Sequence, residues 1–183
     1  MTVCCQNRKN IFGEIGVGAG LVPAQMIKNY IQQMILNDVG KLINEIILNY
    51  FNNNKLIELD ELIIMPDHIH MIVVIKKQFN KNLMGNKTNT RATTRVAPTL
   101  GIIIGELKSL TTNEYIKNIK QNNWPRFDKR LWQRNYFERI IRNEKEYFRY
   151  KRYIRDNPIN AYLTPIILTF GIIFDIIFAQ LVN

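Results

Sequence analysis

Cysteine is scarce in this chain of 183 residues, which contains only Cys4 and Cys5. Neighbouring residues of a strand point to opposite faces of a sheet, so these two thiols are not expected to bridge each other. A disulfide framework is therefore excluded, which suits a reducing cytosol. Neither cysteine has a partner at the spacing of a thiolate metal site, and we interpret the pair as one buried and one exposed strand residue.

Acidic residues are also few compared with basic ones. Fifteen Asp and Glu stand against 25 Lys and Arg, which gives a formal net charge of +10. A charge of this size says little about the fold, but it does indicate the kind of partner. Nucleic acid is the leading candidate, an anionic membrane surface is the second, and a charge that serves only solubility is the third.

The sequence shows no signal peptide, because residues 2–6 already look like a strand and no apolar stretch follows a charged one. We therefore expect a cytoplasmic protein. The apolar segment 165–182 is interrupted by Gly171, Asp175 and Gln180, whereas a membrane span needs about 20 residues with few charges. We interpret this segment as a packed or partner-binding tail, and a structural protein anchored to a membrane remains the alternative.

Histidine is equally scarce, and both histidines lie in one apolar, strand-like segment. His68 and His70 are two residues apart, so in a strand their imidazoles point to the same face while Ile69 points to the other. Two imidazoles side by side on a rigid strand can bind one divalent metal. The alternative is a pair of polar residues on a half-exposed strand.

The periodicity of the apolar residues predicts one α+β domain with an antiparallel sheet and helices packed on it. The elements follow the order strand, helix, strand, strand, helix, strand, helix, which contains a ferredoxin-like βαββαβ arrangement. Gly40 is a candidate interruption of the first helix, and Asn37 and Asp38 offer a second helix start there. The expected strands are 2–6, 57–65, 68–76 and 131–141, the expected helices are 26–51, 98–121 and 144–156, and the expected loops include 7–24 and 77–97.

The last predicted helix carries Tyr153 and Asn157, which share a face because they are four residues apart. A tyrosine hydroxyl beside a bound divalent metal can attack a phosphodiester. Asn157 can supply an oxygen ligand to a hard cation such as Mg²⁺ or Mn²⁺. The alternative is that Tyr153 is one of several core or surface aromatics and that Asn157 only ends a helix before a proline.

Three blocks of the sequence resemble the signatures of the HUH single-tyrosine transposases, in particular the REP-associated tyrosine transposases. The blocks are MPDHIHMIV at 65–73, LWQRNYFERIIRNEKEY at 131–147 and YIRDNPI at 153–159. They occur in the order of the family, and the resemblance extends to about residue 163. Two positions differ from the usual pattern, since Asp67 replaces an asparagine and Arg139 replaces a histidine.

The resemblance implies a transposase domain over residues 1–163, with a catalytic C-terminal helix, followed by an apolar tail of unknown role at 164–183. His68, His70 and Asn157 would bind Mg²⁺ or Mn²⁺, and Tyr153 would be the nucleophile. Tyr136 is the rival nucleophile, ranked second because a strand position lacks the pairing of tyrosine with asparagine. The resemblance also implies that Trp132 or Tyr136 stacks on bases. The residues implied to shape or bind the DNA groove are Trp132, Gln133, Arg134, Tyr136, Arg142 and Arg152.

The implied activity is metal-dependent cleavage and rejoining of single-stranded DNA through a 5′-phosphotyrosine intermediate, at hairpins such as REP sequences. The resemblance implies a nucleoid-associated bacterial protein, monomeric or homodimeric, that acts on single-stranded or hairpin DNA and has no small-molecule substrate or membrane partner. A catalytically decayed or domesticated nucleic-acid-binding protein of the same fold is the alternative.

Overall fold

The computed structural model describes residues 1–16, 33–76 and 98–170. The described part is an α+β arrangement with an antiparallel sheet, as the sequence predicts. Its elements in chain order are β1 (Thr2–Cys4), a 3-10 turn (Gln6–Arg8), β2 (Gly13–Gly16), β3 (Gln33–Leu36), α1 (Asp38–Asn52), β4 (Ile57–Ile64), β5 (His68–Ile75), α2 (Leu100–Gln121) and α3 (Glu144–Phe170). The predicted loop at 77–97 lies outside the described residues.

The main sheet is antiparallel and has β5 in its centre, between β1 and β4. On one side Thr2 lies opposite His70, and on the other side Ile63 lies opposite His70. Directly opposed residues of antiparallel strands put their side chains on the same face. One face of the sheet therefore carries a row of side chains that crosses β4, β5 and β1 at the level of His70.

The prediction of a regular strand at 131–141 is wrong. The part from 131 to 137, which we call the bridged segment, makes only isolated bridges, Trp132 with Cys5 and Phe137 with Thr2. Five positions separate Trp132 from Phe137, but three separate Cys5 from Thr2, so two extra residues break the ladder in the manner of a bulge. The bridged segment still lies along the edge of β1, because Thr2 and Phe137 exchange backbone hydrogen bonds of 2.8 and 3.0 Å.

The first helix is shorter than predicted. Helix α1 begins at Asp38, residues 33–36 form β3 in a hairpin with β2, and residues 26–32 lie outside the described part. The predicted helix start at Asn37 and Asp38 is confirmed, because the Asn37 side chain accepts a hydrogen bond from the Gly40 amide at 3.0 Å. Gly40 does not interrupt the helix. A side chain there would collide with the carbonyl oxygen of Phe12, so glycine permits this close approach.

The third helix begins where the sequence predicts, whereas the second begins at Leu100 rather than at the predicted Pro98. Thr99 caps α2, and Asn143 caps α3 by accepting from the Glu146 amide at 2.9 Å. The predicted end of α3 near residue 156 is wrong, since the helix runs through Pro158 to Phe170. Proline weakens a helix by removing one hydrogen bond. Here the helix continues through it, with Ile154, Asn157 and Pro158 all buried. The rest of the predicted tail, 171–183, lies outside the described residues.

The two faces of the sheet have different coverings. Helices α1 and α2 pack on one face and form a core with apolar side chains of the strands: Val3, Ile43, Ile47, Ile69, Met71, Ile103, Ile104 and Leu107. Helix α3 packs on the other face, against β4 and β5. In the portion of the chain that the structure describes, we find no helix that is both long and apolar enough for a membrane span.

Candidate active site

The two histidines converge on one point beneath α3. His68 Nε2 lies 3.0 Å from His70 Nε2. The other ring nitrogen of each histidine is occupied, because Asp67 Oδ1 accepts from His68 Nδ1 at 2.5 Å and Thr2 Oγ1 lies 2.8 Å from His70 Nδ1. Outer partners of this kind fix the orientation of metal-binding histidines. Both Nε2 atoms are thereby aimed at the same position.

The distance between the Nε2 atoms fits a shared cation. Imidazole nitrogens bind first-row metals at about 2.1 Å, so two ligands at right angles around one ion are about 3 Å apart. Asn157 Nδ2 lies 3.3 Å from His70 Nε2 and donates to it when that nitrogen carries a lone pair. When His68 Nδ1 donates to Asp67, a neutral His68 ring keeps its lone pair on Nε2, which faces His70 Nε2. A cation between the two Nε2 atoms would accept both lone pairs.

The third ligand of such a site would be the buried amide of Asn157. Rotation of the amide by half a turn puts its oxygen where its nitrogen now lies. Within residues 1–16, 33–76 and 98–170 no group of three or more His, Cys, Asp and Glu is placed to hold a metal ion. A metal at the His68–His70 pair would therefore rely on two imidazoles and an amide oxygen, with water or phosphate completing its coordination.

The charge state of His70 suits a metal ligand. Burial lowers the pKa of His70 to about 4, and the nearby His68, the chain N-terminus and Arg8 act in the same direction. At neutral pH the ring is therefore uncharged and keeps a free lone pair. Asp67 also pairs with Arg8 Nε at 2.6 Å, so the carboxylate that orients His68 is itself held in place.

Helix α3 brings the predicted nucleophile to the histidines. The Tyr153 ring packs edge to face on His70, with ring centroids 5.4 Å apart. Half of the Tyr153 side chain is exposed, at 50%. One turn later on the helix, Asn157 is buried beside His70. The structure thus brings together Tyr153, Asn157, His68 and His70, although the helix and the strand are far apart in the sequence.

Two acidic residues of β4, which the sequence analysis missed, hold α3 against the sheet. A β-bulge between Leu59 and Glu61 interrupts the regular register. Lys151 Nζ donates to Asp60 Oδ1 at 3.0 Å and lies 3.3 Å from Glu61 Oε2. Arg155 donates to both carboxylate oxygens of Glu61, at 2.8 and 3.2 Å. Lys151 and Arg155 flank Tyr153 on α3, so these contacts set the position of the tyrosine.

Tyr147 completes this cluster at the start of α3. Its hydroxyl donates to Asp60 Oδ1 at 3.0 Å and accepts from Lys151 Nζ at 2.9 Å. Tyr147 and Asp60 raise the pKa of Lys151, which stays charged. The only sequence signal for the cluster is a pair of adjacent carboxylates in the middle of an apolar strand.

The structure does not bring Trp132 to a DNA-binding surface. Its ring has 6% of its surface exposed, packs against Phe12 with centroids 5.3 Å apart, and donates from Nε1 to Thr111 Oγ1 at 2.9 Å. The cause is the bridge to Cys5, which turns Trp132 toward the core covered by α1 and α2. Of the two residues implied in base stacking, Trp132 or Tyr136, Trp132 is therefore too buried to contact a base.

Tyr136, the rival nucleophile, also lies away from the histidines. It is partly buried against the core, and Lys108 Nζ lies 5.6 Å from the centre of its ring. The same lysine donates to the backbone carbonyls of Gln133 and Arg134 at 2.9 and 3.2 Å. Lys108 thus stabilises the irregular part of the bridged segment from the α2 side, and Tyr136 belongs to that side.

The remaining residues implied in DNA binding have mixed positions. Arg134, Arg142 and Arg152 are exposed, as contact with a phosphate backbone requires, whereas Gln133 is half-buried. Arg152 immediately precedes Tyr153 on α3. The Arg142 backbone amide donates to Glu146 Oε2 at 3.1 Å. This hydrogen bond does not involve the Arg142 guanidinium.

Replacing Trp132 with alanine is expected to lower the free energy of unfolding by about 3–5 kcal/mol, because a large buried ring and its hydrogen bond are lost. Urea denaturation followed by circular dichroism measures the change. Phe137→Ala is the matched control, because that ring belongs to the same segment but is exposed, and its change should stay within about 0.5 kcal/mol. A stable Trp132→Ala variant with weakened DNA binding would contradict the structural role.

The chain has a relative in Haemophilus influenzae. No protein-family model matches the chain, and no solved structure matches it. An uncharacterized protein of Haemophilus influenzae is 34% identical to it over 163 residues, which cover 87% of this chain and 78% of the relative. The chain therefore belongs to the same family as this uncharacterized Haemophilus influenzae protein.

Proposed function

We propose that this protein is a transposase or nickase that cleaves and rejoins single-stranded DNA with Tyr153 as its nucleophile. The observation that carries the proposal is the convergence at one point of the sheet. The Nε2 atoms of His68 and His70 are 3.0 Å apart. The ring centroids of Tyr153 and His70 are 5.4 Å apart, and Asn157 Nδ2 lies 3.3 Å from His70 Nε2. The resemblance of three sequence blocks to the HUH single-tyrosine transposases supports the same reaction.

The order of the elements supports a ferredoxin-like arrangement. Across the sheet the order is the bridged segment, β1, β5 and β4. Helix α1 connects β1 to β4 by way of the β2–β3 hairpin, and α2 connects β5 to the bridged segment. A ferredoxin-like βαββαβ domain has the same alternation, with the first and third strands in the middle of the sheet.

In the proposed reaction the Tyr153 oxygen attacks the phosphorus of one phosphodiester. The bond between the phosphorus and the 3′-oxygen breaks, and the 3′-oxygen leaves as a hydroxyl after taking up a proton. The 5′-phosphate stays on Tyr153 as a phosphotyrosine. A 3′-hydroxyl later attacks this ester and restores both the DNA strand and the tyrosine. One ester bond replaces another in each step, so no ATP is required.

The residues that would hold a divalent cation, Mg²⁺ or Mn²⁺, are His68, His70 and Asn157. When bound there, the cation would withdraw charge from the phosphate oxygens and make the phosphorus more electrophilic. The chain itself orients the ligands, since Asp67 and Thr2 hold the outer nitrogens of the two imidazoles. Lys151 and Arg155 keep Tyr153 above the histidines through their contacts with β4.

The charge of the chain supports a nucleic-acid substrate. The net charge of +10 provides sequence-independent attraction to phosphates, and Arg152 is exposed directly beside Tyr153. The half-exposed tyrosine suits a polymer that lies across the surface. The resemblance supports hairpin DNA as the specific target, in a cytoplasmic, nucleoid-associated protein.

Incubation of the full chain with a labelled DNA hairpin that has single-stranded flanks is expected to cut one strand when Mn²⁺ or Mg²⁺ is present. Excess EDTA should abolish the cut, and the fully paired duplex of the same sequence should remain intact. Denaturing electrophoresis measures the cut strand and the protein–DNA adduct. Tight hairpin binding without cutting in either metal would instead favour the catalytically decayed DNA-binding protein.

A further inference from the structure

One exposed aromatic side chain lies on the same face of the sheet as the histidines. Phe137 of the bridged segment is 67% exposed. It is bridged to Thr2, and Thr2 lies opposite His70. Since opposed residues of antiparallel strands share a face, Phe137 extends the row that contains Thr2 and His70. The same rule applied to the bridge between Trp132 and Cys5 puts both on the other face, where both are buried.

The distance along this row matches the dimensions of a nucleic-acid strand. Opposed residues on neighbouring strands have Cα atoms about 5 Å apart. Phe137 and His70 are separated by two such distances, through Thr2, so their backbones are about 10 Å apart. Stacked bases of one strand are about 3.4 Å apart, so this distance spans about three bases. A strand whose phosphate lies at Tyr153 can therefore bring an unpaired base over Phe137.

Among the residues that the structure describes, Phe137 stays exposed beside the helix that covers this face. Helix α3 packs against β4 and β5, and the contacts of Lys151 and Arg155 with Asp60 and Glu61 hold it over β4. The β1 edge with the bridged segment lies on the opposite side of β5. A solvent-exposed ring adds little to the stability of the fold. Beside a phosphate-binding site in a basic chain, however, it offers a stacking surface.

We propose that Phe137 is the base-stacking residue of this site and binds an unpaired base of single-stranded DNA near the phosphate that Tyr153 attacks. The inference rests on the proposed function, because it takes the partner to be single-stranded DNA. It goes beyond that function by assigning recognition to a side chain that performs no chemistry. A base within a duplex is already stacked on both faces, so this contact selects unpaired DNA.

The test is a binding measurement that does not depend on cleavage. Fluorescence anisotropy in EDTA gives the dissociation constant of the full chain for a labelled hairpin with single-stranded flanks. Phe137→Ala should raise that constant by about 5- to 100-fold, the usual effect of losing one aromatic stack. Phe137→Trp should bind at least as tightly as the natural chain. The slope of log affinity against log salt should stay unchanged in both variants, because no phosphate contact is lost.

Phe148→Ala is the matched control. Phe148 is 55% exposed, and on α3 it shares a stripe with Arg155, which pairs with Glu61 of β4. Its ring therefore lies on the side of α3 away from β1, and its loss should change the dissociation constant less than about twofold. An equal loss in both variants, or a Phe137→Ala constant within twofold of the natural chain, would overturn the inference.

The outcomes for the inference and for the proposed function are separable. If Phe137→Ala weakens binding and the natural chain still fails to cut DNA in metal, the stacking role holds and the proposed reaction fails. If the natural chain cuts DNA and Phe137→Ala binds normally, the reaction holds and the stacking role fails. If the natural chain does not bind single-stranded DNA, both are overturned.

Discussion

Replacement of Tyr153 with phenylalanine is expected to abolish the covalent protein–DNA adduct and to slow strand cleavage by at least about 10⁴-fold, as removal of a nucleophile usually does. The reason is that only the hydroxyl is lost, while the ring keeps its edge-to-face contact with His70. Because the side chain is half-exposed, the free energy of unfolding should change by less than about 0.5 kcal/mol. Denaturing electrophoresis of a labelled hairpin incubated with Mn²⁺ measures the adduct.

Tyr136→Phe is the matched control for this replacement, because its ring packs near Lys108 on the other side of the sheet. That variant should form the adduct at the rate of the natural chain. Mass spectrometry of the digested adduct should locate the DNA on the peptide that begins at Tyr153. An adduct that persists in Tyr153→Phe, or that maps to Tyr136, would show that the nucleophile is assigned incorrectly.

Replacement of His70 with alanine is expected to abolish metal-dependent cleavage and to weaken Mn²⁺ binding by more than about 100-fold. The ring is buried and neutral, its Nε2 faces that of His68, and it has no substitute nearby in the described residues. Isothermal titration calorimetry measures the metal affinity, and cutting of the labelled hairpin measures the activity. Asp67→Asn only weakens the hydrogen bond to His68 Nδ1, so it should lower the affinity for Mn²⁺ by about 10- to 100-fold.

Hairpin binding in EDTA is the control for the His70 variant. It should remain within about threefold of the natural chain, because affinity is spread over many basic contacts. A far-ultraviolet circular dichroism spectrum like that of the natural chain establishes that the variant is folded. If a variant without both His68 and His70 still cut DNA in a metal-dependent way, the metal site would have to lie elsewhere.

Tertiary context overrode local preference at several elements. The apolar spacing before Asn37 is helical, yet residues 33–36 pair with β2 as a strand. Pro158 predicts a helix end, yet the buried side chains of Ile154 and Asn157 accompany a helix that continues through it. The aromatic and β-branched residues of 131–141 predict a strand, but two extra residues between the bridges at Trp132 and Phe137 prevent a regular ladder. In each case the decisive partner is distant in the sequence.

The base-stacking prediction illustrates the same limit within one segment. Trp132 and Phe137 are both aromatic residues of the second resembling block, which implied Trp132 or Tyr136 as the stacking residue. Partners near the N-terminus decide where these two rings lie, since Cys5 turns Trp132 into the core and Thr2 turns Phe137 to the face of the histidines. A register is a property of two strands, so no pattern within one of them predicts it.

The sequence by itself determined the local relations of the site. The two-residue spacing of His68 and His70 puts both imidazoles on one face of β5, and the four-residue spacing of Tyr153 and Asn157 puts both on one stripe of α3. The caps at Asn37 and Asn143 start α1 and α3 where the sequence indicates. These relations follow from the repeat of a strand or a helix, which acts over a few residues.

Only the tertiary structure decided that these two pairs meet. Asn157 contacts His70 across 87 positions of the chain, and Arg155 binds Glu61 across 94. The bulge at Asp60, the pairing of Thr2 with His70 and the docking of α3 are long-range events, set by burial and by ion pairs between α3 and β4. In the described part of the chain, the exposure of Phe137 accompanies the same docking, because α3 packs against β4 and β5.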